Sequence, residues 1–270
     1  MPCALAIAAH PDDIEFVMAG TLLLLQHAGW EIHCLNLSTG NLGSMTLSPA
    51  LTARVRRREA QASAKLLDAT WHPPICDDLE IFYSGRLLRR VSAIVRQVEP
   101  GVILTHSPQD YMEDHMTTAR LAVTAAFARS IPGYRTTPPR QATPQRVTIY
   151  HASPHGLCDG LRRRLLPGAF VDTTTVHARK REALACHASQ QEFLDATQGL
   201  DSYLQTLDEI SRAVGKLSRR FRHAEGWRRH AHLGFCEEGA DPLRAALGSK
   251  YLASARYERL LEGAGSGEPV

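Results

Sequence analysis

Short apolar runs alternate along the chain with longer amphipathic stretches. Residues 3–9 form a continuous apolar run, which is typical of a strand buried on both faces of a parallel sheet. Residues 31–37 and the short apolar run at residues 102–105 are predicted as further strands. Amphipathic stretches with helical periodicity lie between and after these runs, separated by turn-forming residues. The helices predicted in this half of the chain are residues 15–29, 53–67, 86–98 and 114–128.

This order of elements predicts an α/β fold. Alternating strands and helices form a mostly parallel sheet with helices on both faces, which is a Rossmann-like arrangement. A loop with several prolines at residues 132–144 leads to a further predicted strand at residues 146–151. From about residue 170 onward the pattern becomes mostly helical, most clearly at residues 180–186 and 204–217.

The length and composition are sufficient for one main domain. The chain has 270 residues, of which 44% are hydrophobic, and this allows one sizeable core. We expect a Rossmann-like core over residues 1–170 and a helical C-terminal part of the same domain over residues 171–261. The glycine-rich, polar residues 262–270 predict a disordered tail.

The charge balance argues against a nucleic acid or an anionic membrane as partner. The chain carries 31 basic and 28 acidic residues, a formal net charge of +3. Its basic residues cluster, and we interpret the clusters as solvated helix faces because no RNA-binding signature with interleaved aromatic residues accompanies them. The clusters are residues 54–58, 86–90, 162–164 and 216–222.

Cysteine usage and the apolar runs indicate the compartment. The six cysteines are scattered without a CxxC pair, which is typical of buried thiols in a reducing environment. The first ten residues lack the basic and apolar regions of a secretory signal. The apolar run at residues 21–25, like the run at residues 3–9, is far shorter than the roughly 20 residues that span a bilayer. We therefore expect a soluble, cytoplasmic protein without a membrane span.

Potential metal ligands directly follow the first predicted strand. His10, Asp12 and Asp13 come after the apolar run of residues 3–9. In open parallel sheets, ligands bind at the carboxyl ends of the strands. Zinc accepts imidazole nitrogen and carboxylate oxygen, and a catalytic zinc site uses three protein ligands and a water. The segment therefore predicts part of a metal site at this edge of the sheet.

A third ligand has to come from another strand end. The run at residues 102–105 is followed by a loop that enters a helix near His115, so His115 is expected at the same sheet edge. Taken alone, an aspartate pair after a strand is more often a helix cap, which stabilises a helix by about 0.5–2 kcal/mol. The combination of both segments on one sheet favours a metal site.

Several segments together resemble the PIG-L/LmbE family of metal-dependent N-deacetylases. The resemblance covers residues 3 to about 128, with the motifs in the family's order. Members of this family act on N-acetylglucosaminyl lipids, on mycothiol or bacillithiol precursors, and on chitin fragments or glycopeptides. The matching pieces are His10-Pro11-Asp12-Asp13 after two alanines, Ser38-Thr39-Gly40, Arg56 and Glu59, and Asp110-Tyr111 to Asp114-His115.

The resemblance implies a role for each of these residues. His10, Asp13 and His115 would bind zinc or another divalent cation, and Asp12 would be the general base. Bound zinc lowers the pKa of its water to about 7, and the adjacent carboxylate takes the proton as that water attacks the amide carbonyl. Arg56 also has an alternative interpretation as part of a solvated helix face. The implied substrate contacts are Arg56, Gly40, Asp110 and Tyr111.

Two positions depart from the family pattern. Many relatives carry His-Pro-Asp-His where this chain has Met112-Glu113-Asp114-His115, and Asn41 replaces a family glutamate. Methionine donates no hydrogen bond and is a poor ligand in a hard metal site. We expect His155, after the predicted strand at residues 146–151, to act as electrophile or acid instead. His106 is the second candidate for that role.

The sequence thus predicts a zinc-dependent hydrolase that removes an N-acyl group, most simply acetyl, from a small amino-sugar or glycoconjugate substrate. The resemblance is compatible with a homo-oligomer. One alternative is a non-catalytic metal-binding or sugar-binding protein, which Met112 suggests and Asp12 argues against. Another is a nucleotide-sugar-binding or dinucleotide-binding Rossmann module, although Gly40 and Gly43 lack the full GxGxxG spacing. The absence of a GxSxG motif disfavours a serine hydrolase.

Overall fold

A computed structural model of the protein describes residues 1–198 and 203–264. Within these residues, eight strands form one sheet and ten α-helices surround it. The strands are β1 (Cys3–Ala8), β2 (Glu31–Asn36), β3 (Ala69–His72), β4 (Val102–Thr105), β5 (Thr148–Ala152), β6 (Ala169–Asp172), β7 (Ala224–Arg229) and β8 (Tyr251–Ala253). The helices are α1 (Asp13–Val17), α2 (Ala19–His27), α3 (Pro49–Leu66), α4 (Gly85–Val98), α5 (Glu113–Ala128), α6 (His177–Ala185), α7 (Ala188–Gln198), α8 (Tyr203–Ser218), α9 (Pro242–Leu247) and α10 (Ala255–Ala264).

The order of the strands creates a crevice at the end of β1. The sheet runs β3-β2-β1-β4-β5-β7-β6-β8. Its first five strands are parallel, and the remaining pairings are antiparallel. The chain leaves β1 toward β2 on one side and returns to β4 on the other, so the strand order reverses at β1. The predicted α/β, Rossmann-like fold is confirmed.

Strand β1 supplies residues to the hydrophobic cores on both faces of the sheet. Ala4, Ala6 and Ala8 belong to the core that contains Leu22 and Leu25 of α2. The alternate residues of the strand, with Leu5 and Ile7 among them, belong to the core formed with α4 and α5. Side chains of a strand alternate between the two faces, so a fully apolar run is what a doubly covered strand requires.

Local signals explain where several helices begin. Pro49 is the first residue of α3, where its missing N–H is not needed, and the helix therefore starts earlier than predicted. Ser84 caps α4, and its hydroxyl accepts a hydrogen bond from the N–H of Leu87 at 3.3 Å. The predicted helix over residues 15–29 is two helices, α1 and α2, with the break at Met18.

The C-terminal part contains helices α6 to α10, of which α6 and α8 correspond to the predicted helices at residues 180–186 and 204–217, but it also adds the antiparallel strands β6, β7 and β8 to the sheet. Strands β6 and β8 have only four and three residues, and the charged residue Glu225 is buried in β7, so no long apolar run marks these strands. Helix α10 extends to Ala264, so residues 262–264 of the expected tail are helical, and residues 265–270 lie outside the described residues. Within residues 1–198 and 203–264, no helix is both long and apolar enough to cross a membrane.

A buried ion pair connects β7 to α2 and α6. Lys180 Nζ lies 2.7 Å from Glu225 Oε1, and both side chains are at most 2% exposed. The same carboxylate accepts hydrogen bonds from the backbone N–H groups of Gly20 and Thr21 at 2.8 Å and from the Thr21 hydroxyl at 2.6 Å. These N–H groups lie in the first turn of α2, where Met18 offers no side-chain cap. Glu225 therefore caps α2 from a distant strand.

We expect Glu225→Ala to lower the free energy of unfolding by about 3–5 kcal/mol, because it leaves a buried lysine and two N–H groups without a partner. The exposed pair Arg179–Glu182, also at 2.8 Å, provides the matched control. Glu182→Ala should change stability by no more than about 1 kcal/mol. Urea denaturation of both variants measures the difference, and equal losses would contradict the capping role of Glu225.

Candidate active site

The turn after β1 brings three polar residues to the carboxyl edge of the sheet. Asp12 has a φ of 108°, a conformation that is unfavourable for a residue with a Cβ. Helix α1 then begins at Asp13, and the Asp13 carboxylate accepts the backbone N–H of His10 at 2.7 Å. Asn36, at the end of β2, donates to the carbonyl of His10 at 2.6 Å. The turn is thus held by its own residues and by the neighbouring strand.

The three residues predicted as metal ligands lie together. One ligand atom from each of His10, Asp13 and His115 lies within 4.8 Å of the others. His115 Nε2 is 3.3 Å from Asp13 Oδ1, and His10 Nδ1 is 3.4 Å from Asp13 Oδ2. His115 lies in the first turn of α5, which follows β4. The carboxyl ends of two adjacent strands therefore supply the group.

In His10 and in His115, one ring nitrogen faces Asp13, and a further carboxylate accepts a hydrogen bond from the other, outer nitrogen. His115 Nδ1 donates to Asp110 at 3.1 Å, and His10 Nε2 donates to Asp114 at 3.1 Å. Because these carboxylates accept the hydrogen bonds, the inner nitrogens of the neutral imidazoles carry the lone pairs. A carboxylate behind a histidine is the usual arrangement around a protein-bound metal. The donor atoms and their supports therefore fit a divalent cation.

The surrounding carboxylates favour positive charge on the two histidines. Burial alone would lower the pKa of His115, but Asp13 and Asp110 outweigh it and raise this pKa to about 10. Burial is likewise outweighed at His10, where Asp114 and Asp13 raise the pKa to about 9. In the metal-free protein both imidazoles are protonated. A divalent cation would displace the protons from the two nitrogens that face it.

His106 lies beside this group but faces the backbone. Its Nε2 accepts the N–H of Ala9 at 3.0 Å and lies 3.3 Å from Asp13 Oδ2. The ring stacks on His115 with centroids 4.1 Å apart, and His106 is only 3% exposed. His106, Asp110 and His115 form a second possible ligand group, but hydrogen bonds already occupy His106 Nε2 and Asp110 Oδ1. His106 therefore supports the His10–Asp13–His115 group from behind.

His155 reaches the same cavity from the loop after β5. It begins a short 3-10 turn, and its ring is edge-on to Phe16 and Tyr111, with centroids 6.5 and 6.1 Å away. His155 is exposed, unlike His106. Met112, in place of the family histidine, lines the cavity without a hydrogen-bond donor. Both candidate histidines line the cavity, and His155 is the more accessible of the two.

A cavity of about 410 Å³ lies at this site. Its walls come from the loops at the carboxyl ends of β1 to β5 and from helices that include α1, α3, α7 and α8. Carboxylates and apolar groups dominate the lining, and Arg56 is the one arginine or lysine among the described residues that line it. The acidic residues are Asp12, Asp13, Asp78 and Asp110; the principal apolar ones are Phe16, Val17, Leu42, Leu79, Phe193 and Leu194.

Arg56 is buried in the wall of this cavity and does not lie on a solvated face. It is 1% exposed. Its guanidinium donates to the carbonyl of Pro11 and to Gln190 of α7, and it lies 3.6 Å from Asp12 Oδ1. Gly40 permits this packing, since a Cβ there would lie 2.8 Å from Arg56 Nε. Arg56 and Gly40 therefore shape the site.

The remaining predicted substrate contacts also border the cavity. Tyr111 is 56% exposed and lines it, so its side chain is accessible to a ligand. Asp110 lines the cavity too, but the residue is only 3% exposed and its carboxylate is hydrogen-bonded to His115. In this structure, Asp110 orients a candidate metal ligand.

Helices α7 and α8 contribute residues that sequence analysis did not assign. Gln190 receives the hydrogen bond from Arg56, and the Tyr203 hydroxyl donates to Asp12 Oδ2 at 2.5 Å. These contacts join residues 134 and 191 positions apart, and no local motif marks them. Only the tertiary structure connects them to the turn after β1.

The fold and the site together define a Rossmann-like α/β protein with a histidine–aspartate–histidine group at the carboxyl edge of its sheet. Residues 5–126 match the family model described as PIG-L, GlcNAc-PI de-N-acetylase. This segment contains His10, Asp12, Asp13 and His115. This N-terminal segment is therefore similar to the PIG-L family, and the predicted resemblance is confirmed over these residues.

Characterised proteins with sequences similar to this chain are enzymes that catalyse different reactions. The 4-oxalmesaconate hydratase of Pseudomonas putida is 28% identical over 70% of this chain and 74% of its own. The diacetylchitobiose deacetylase of Thermococcus kodakarensis is 27% identical over 83% of this chain and 81% of its own. The solved structure of the 4-carboxy-2-hydroxymuconate hydratase of Pseudomonas putida has a TM-score of 0.70, 24% identity, and coverage of 85% of this chain and 96% of that one. That likeness shows a shared fold.

We expect Asp110→Ala to weaken metal binding by about 10- to 100-fold, because His115 loses the group that fixes its tautomer and orientation. His115→Ala should abolish tight binding. Competition with a chromophoric chelator measures both affinities. Asp68→Ala, at a partly exposed aspartate bonded only to Gln26 among the described side chains, is the control. Wild-type affinity in Asp110→Ala would contradict the supporting role.

Proposed function

We propose that this protein is a zinc-dependent amidohydrolase that removes an N-acyl group, most simply acetyl, from an amino-sugar-containing substrate. The observation that carries this proposal is the group of His10, Asp13 and His115 next to a further carboxylate, Asp12, which the group does not use. A site that only stores a metal needs no such carboxylate. The relative that deacetylates diacetylchitobiose supports the acyl group and the sugar.

The site residues divide into metal ligands and groups that move protons. His10, Asp13 and His115 would hold the metal, and zinc suits their nitrogen and oxygen donors. When bound, zinc supplies a Lewis acid for the amide carbonyl and acidifies a water. Asp12 accepts the proton of the attacking water at Oδ1, since Oδ2 is bonded to Tyr203. His155 acts as acid or electrophile from the cavity wall.

The charges in the cavity favour an uncharged amide substrate. Four aspartates line it, and Arg56 is already bonded to Pro11 and Gln190. An N-acylated sugar offers hydroxyl and amide donors that carboxylates accept. Hydration is the second candidate reaction, because the relative at 28% identity is a 4-oxalmesaconate hydratase. A carboxylate substrate would depend on the metal and the cavity histidines for positive charge, because Arg56 is already bonded to Pro11 and Gln190.

The Rossmann-type nucleotide-binding alternative has little support from the loop after β2. A Cβ at Gly43 would lie 2.7 Å from Gln190 Oε1, and one at Gly40 would lie 2.8 Å from Arg56 Nε. The missing Cβ atoms at Gly40 and Gly43 therefore make room for two side chains of the protein itself, Arg56 and Gln190. The backbone N–H of Gly40 donates to Asp78 at 2.8 Å, where a phosphate would be repelled.

We also propose a cytoplasmic location, a small-molecule partner and no nucleic-acid partner. All six cysteines are free thiols, which suits a reducing compartment. Assembly into a homo-oligomer stays a prediction of the family resemblance.

We expect the purified protein to contain close to one equivalent of zinc and to release acetate from N-acetylated amino sugars. Elemental analysis and an acetate assay measure these properties, with chitin fragments, thiol-precursor glycosides, lipid-linked and glycopeptide forms as substrates. Hydration of 4-oxalmesaconate is the parallel assay. Hydration without acetate release would replace the deacetylase proposal, and metal without either activity would favour a binding role.

We expect Asp12→Asn to retain metal and to lower kcat by about 10²- to 10⁴-fold, because the amide cannot accept the proton. Asparagine tolerates positive φ, so the turn should keep its shape. Asp159→Asn, in the loop beyond His155, is the control. Full turnover in Asp12→Asn would exclude Asp12 as the general base, whereas loss of metal would make it a ligand.

A further inference from the structure

Asp12 occupies a strained position that its own helix does not stabilise. It precedes α1 as the capping residue, yet its side chain makes no capping hydrogen bond. Its φ of 108° and ψ of −23° lie outside the favoured regions for an L-residue. Such a conformation persists only when the surrounding structure holds it. The contacts that hold Asp12 must therefore come from other elements.

Tyr203 supplies the strongest of these contacts. Its hydroxyl donates to Asp12 Oδ2 at 2.5 Å, a short charge-assisted hydrogen bond. Both residues are buried, Asp12 at 6% and Tyr203 at 0% exposure. A bond of this kind away from water fixes the carboxylate more firmly than an exposed one would.

The Tyr203 ring is itself held by close packing. It lies edge-on to Phe16 of α1, with ring centroids 5.0 Å apart, and it packs with Leu184 and Leu207 in a buried cluster. The hydroxyl therefore cannot follow Asp12 if that carboxylate rotates. This rigidity makes Tyr203 an anchor and not an adaptable partner.

Arg56 makes a second contact with Asp12. It is held in turn by helix α7, which directly precedes the helix α8 that carries Tyr203. The guanidinium bonds Gln190 of α7 and the carbonyl of Pro11, and it lies 3.6 Å from Asp12 Oδ1. This distance exceeds a hydrogen bond, so Arg56 attracts the Oδ1 atom without occupying it. Among the described side chains, Tyr203 holds one carboxylate oxygen and leaves the other free to accept a proton.

We propose that Tyr203 is a positioning residue for the reaction, which holds Asp12 Oδ2 so that Oδ1 serves as the proton acceptor. This inference rests on the proposed role of Asp12. It assigns a function to a residue that lies outside the segment matching the family model.

Steady-state kinetics of Tyr203→Phe test the inference. We expect kcat to fall by about 10- to 100-fold while KM and metal content stay unchanged, because the carboxylate loses its alignment but no substrate or metal contact is removed. Tyr150→Phe is the matched control, since Tyr150 is also 0% exposed and its hydroxyl donates to an aspartate, Asp241, at 2.7 Å. That variant should lose stability and keep kcat.

A double-mutant cycle separates positioning from general destabilisation. In the Asp12→Asn background, Tyr203→Phe should lower kcat no further, whereas a purely structural role would lower it equally in both backgrounds. The same cycle in urea does not need turnover. There the two substitutions should couple in the unfolding equilibrium constant, because the amide carbonyl that replaces the carboxylate in Asp12→Asn accepts only an uncharged, weaker hydrogen bond from Tyr203.

The outcomes distinguish this inference from the proposed function. Wild-type turnover in Asp12→Asn would overturn the positioning role together with the general-base role of Asp12, whereas absence of acetate release from the wild-type protein would overturn the proposed function. Loss of turnover in Asp12→Asn with wild-type kcat in Tyr203→Phe would overturn the positioning role alone. Additive effects in the urea cycle would overturn it even if the substrate were of another class.

Discussion

The burial of β1 on both faces is the constraint on which the rest of the structure depends. Alternate residues of this strand belong to two separate cores, so a shift by one residue would exchange the two sets. Its register against β2 and β4 is therefore strongly specified. The turn that carries His10, Asp12 and Asp13 has to emerge at the carboxyl edge. There it lies beside the loop that leads from the adjacent strand β4 to His115.

Around that edge the protein concentrates negative charge in a region with little water. Asp13, Asp110 and Asp114 surround two histidines, and the resulting field raises the pKa of both. Buried charges of one sign are unfavourable without a partner. The cluster is therefore best satisfied by a cation, and the histidines take up protons when no metal competes. The same carboxylates therefore influence both the stability of the fold at this site and the affinity of the site for a metal.

The parts of the fold that sequence predicts well are those with local signals. The apolar run of β4 has the observed bounds, and the histidine and aspartate motif gives the candidate ligands. Strand β7 escapes prediction because the buried Glu225 interrupts its pattern, and β6 and β8 because they have only four and three residues. The choice between His106 and His155 also needs the structure, since it depends on a hydrogen bond from the backbone of Ala9. Tyr203 carries no motif, and its partner lies 191 positions away.

That separation has a consequence for how the protein is made. During synthesis the N-terminal part leaves the ribosome first, and domains generally fold as the chain emerges. All three candidate ligands precede the end of α5, so a nascent chain of that length already holds the donors for a metal ion. Tyr203 follows later, together with the strands that complete the sheet. The candidate metal ligands are therefore synthesised before Tyr203, and the described site is complete only once the C-terminal part of the chain has followed.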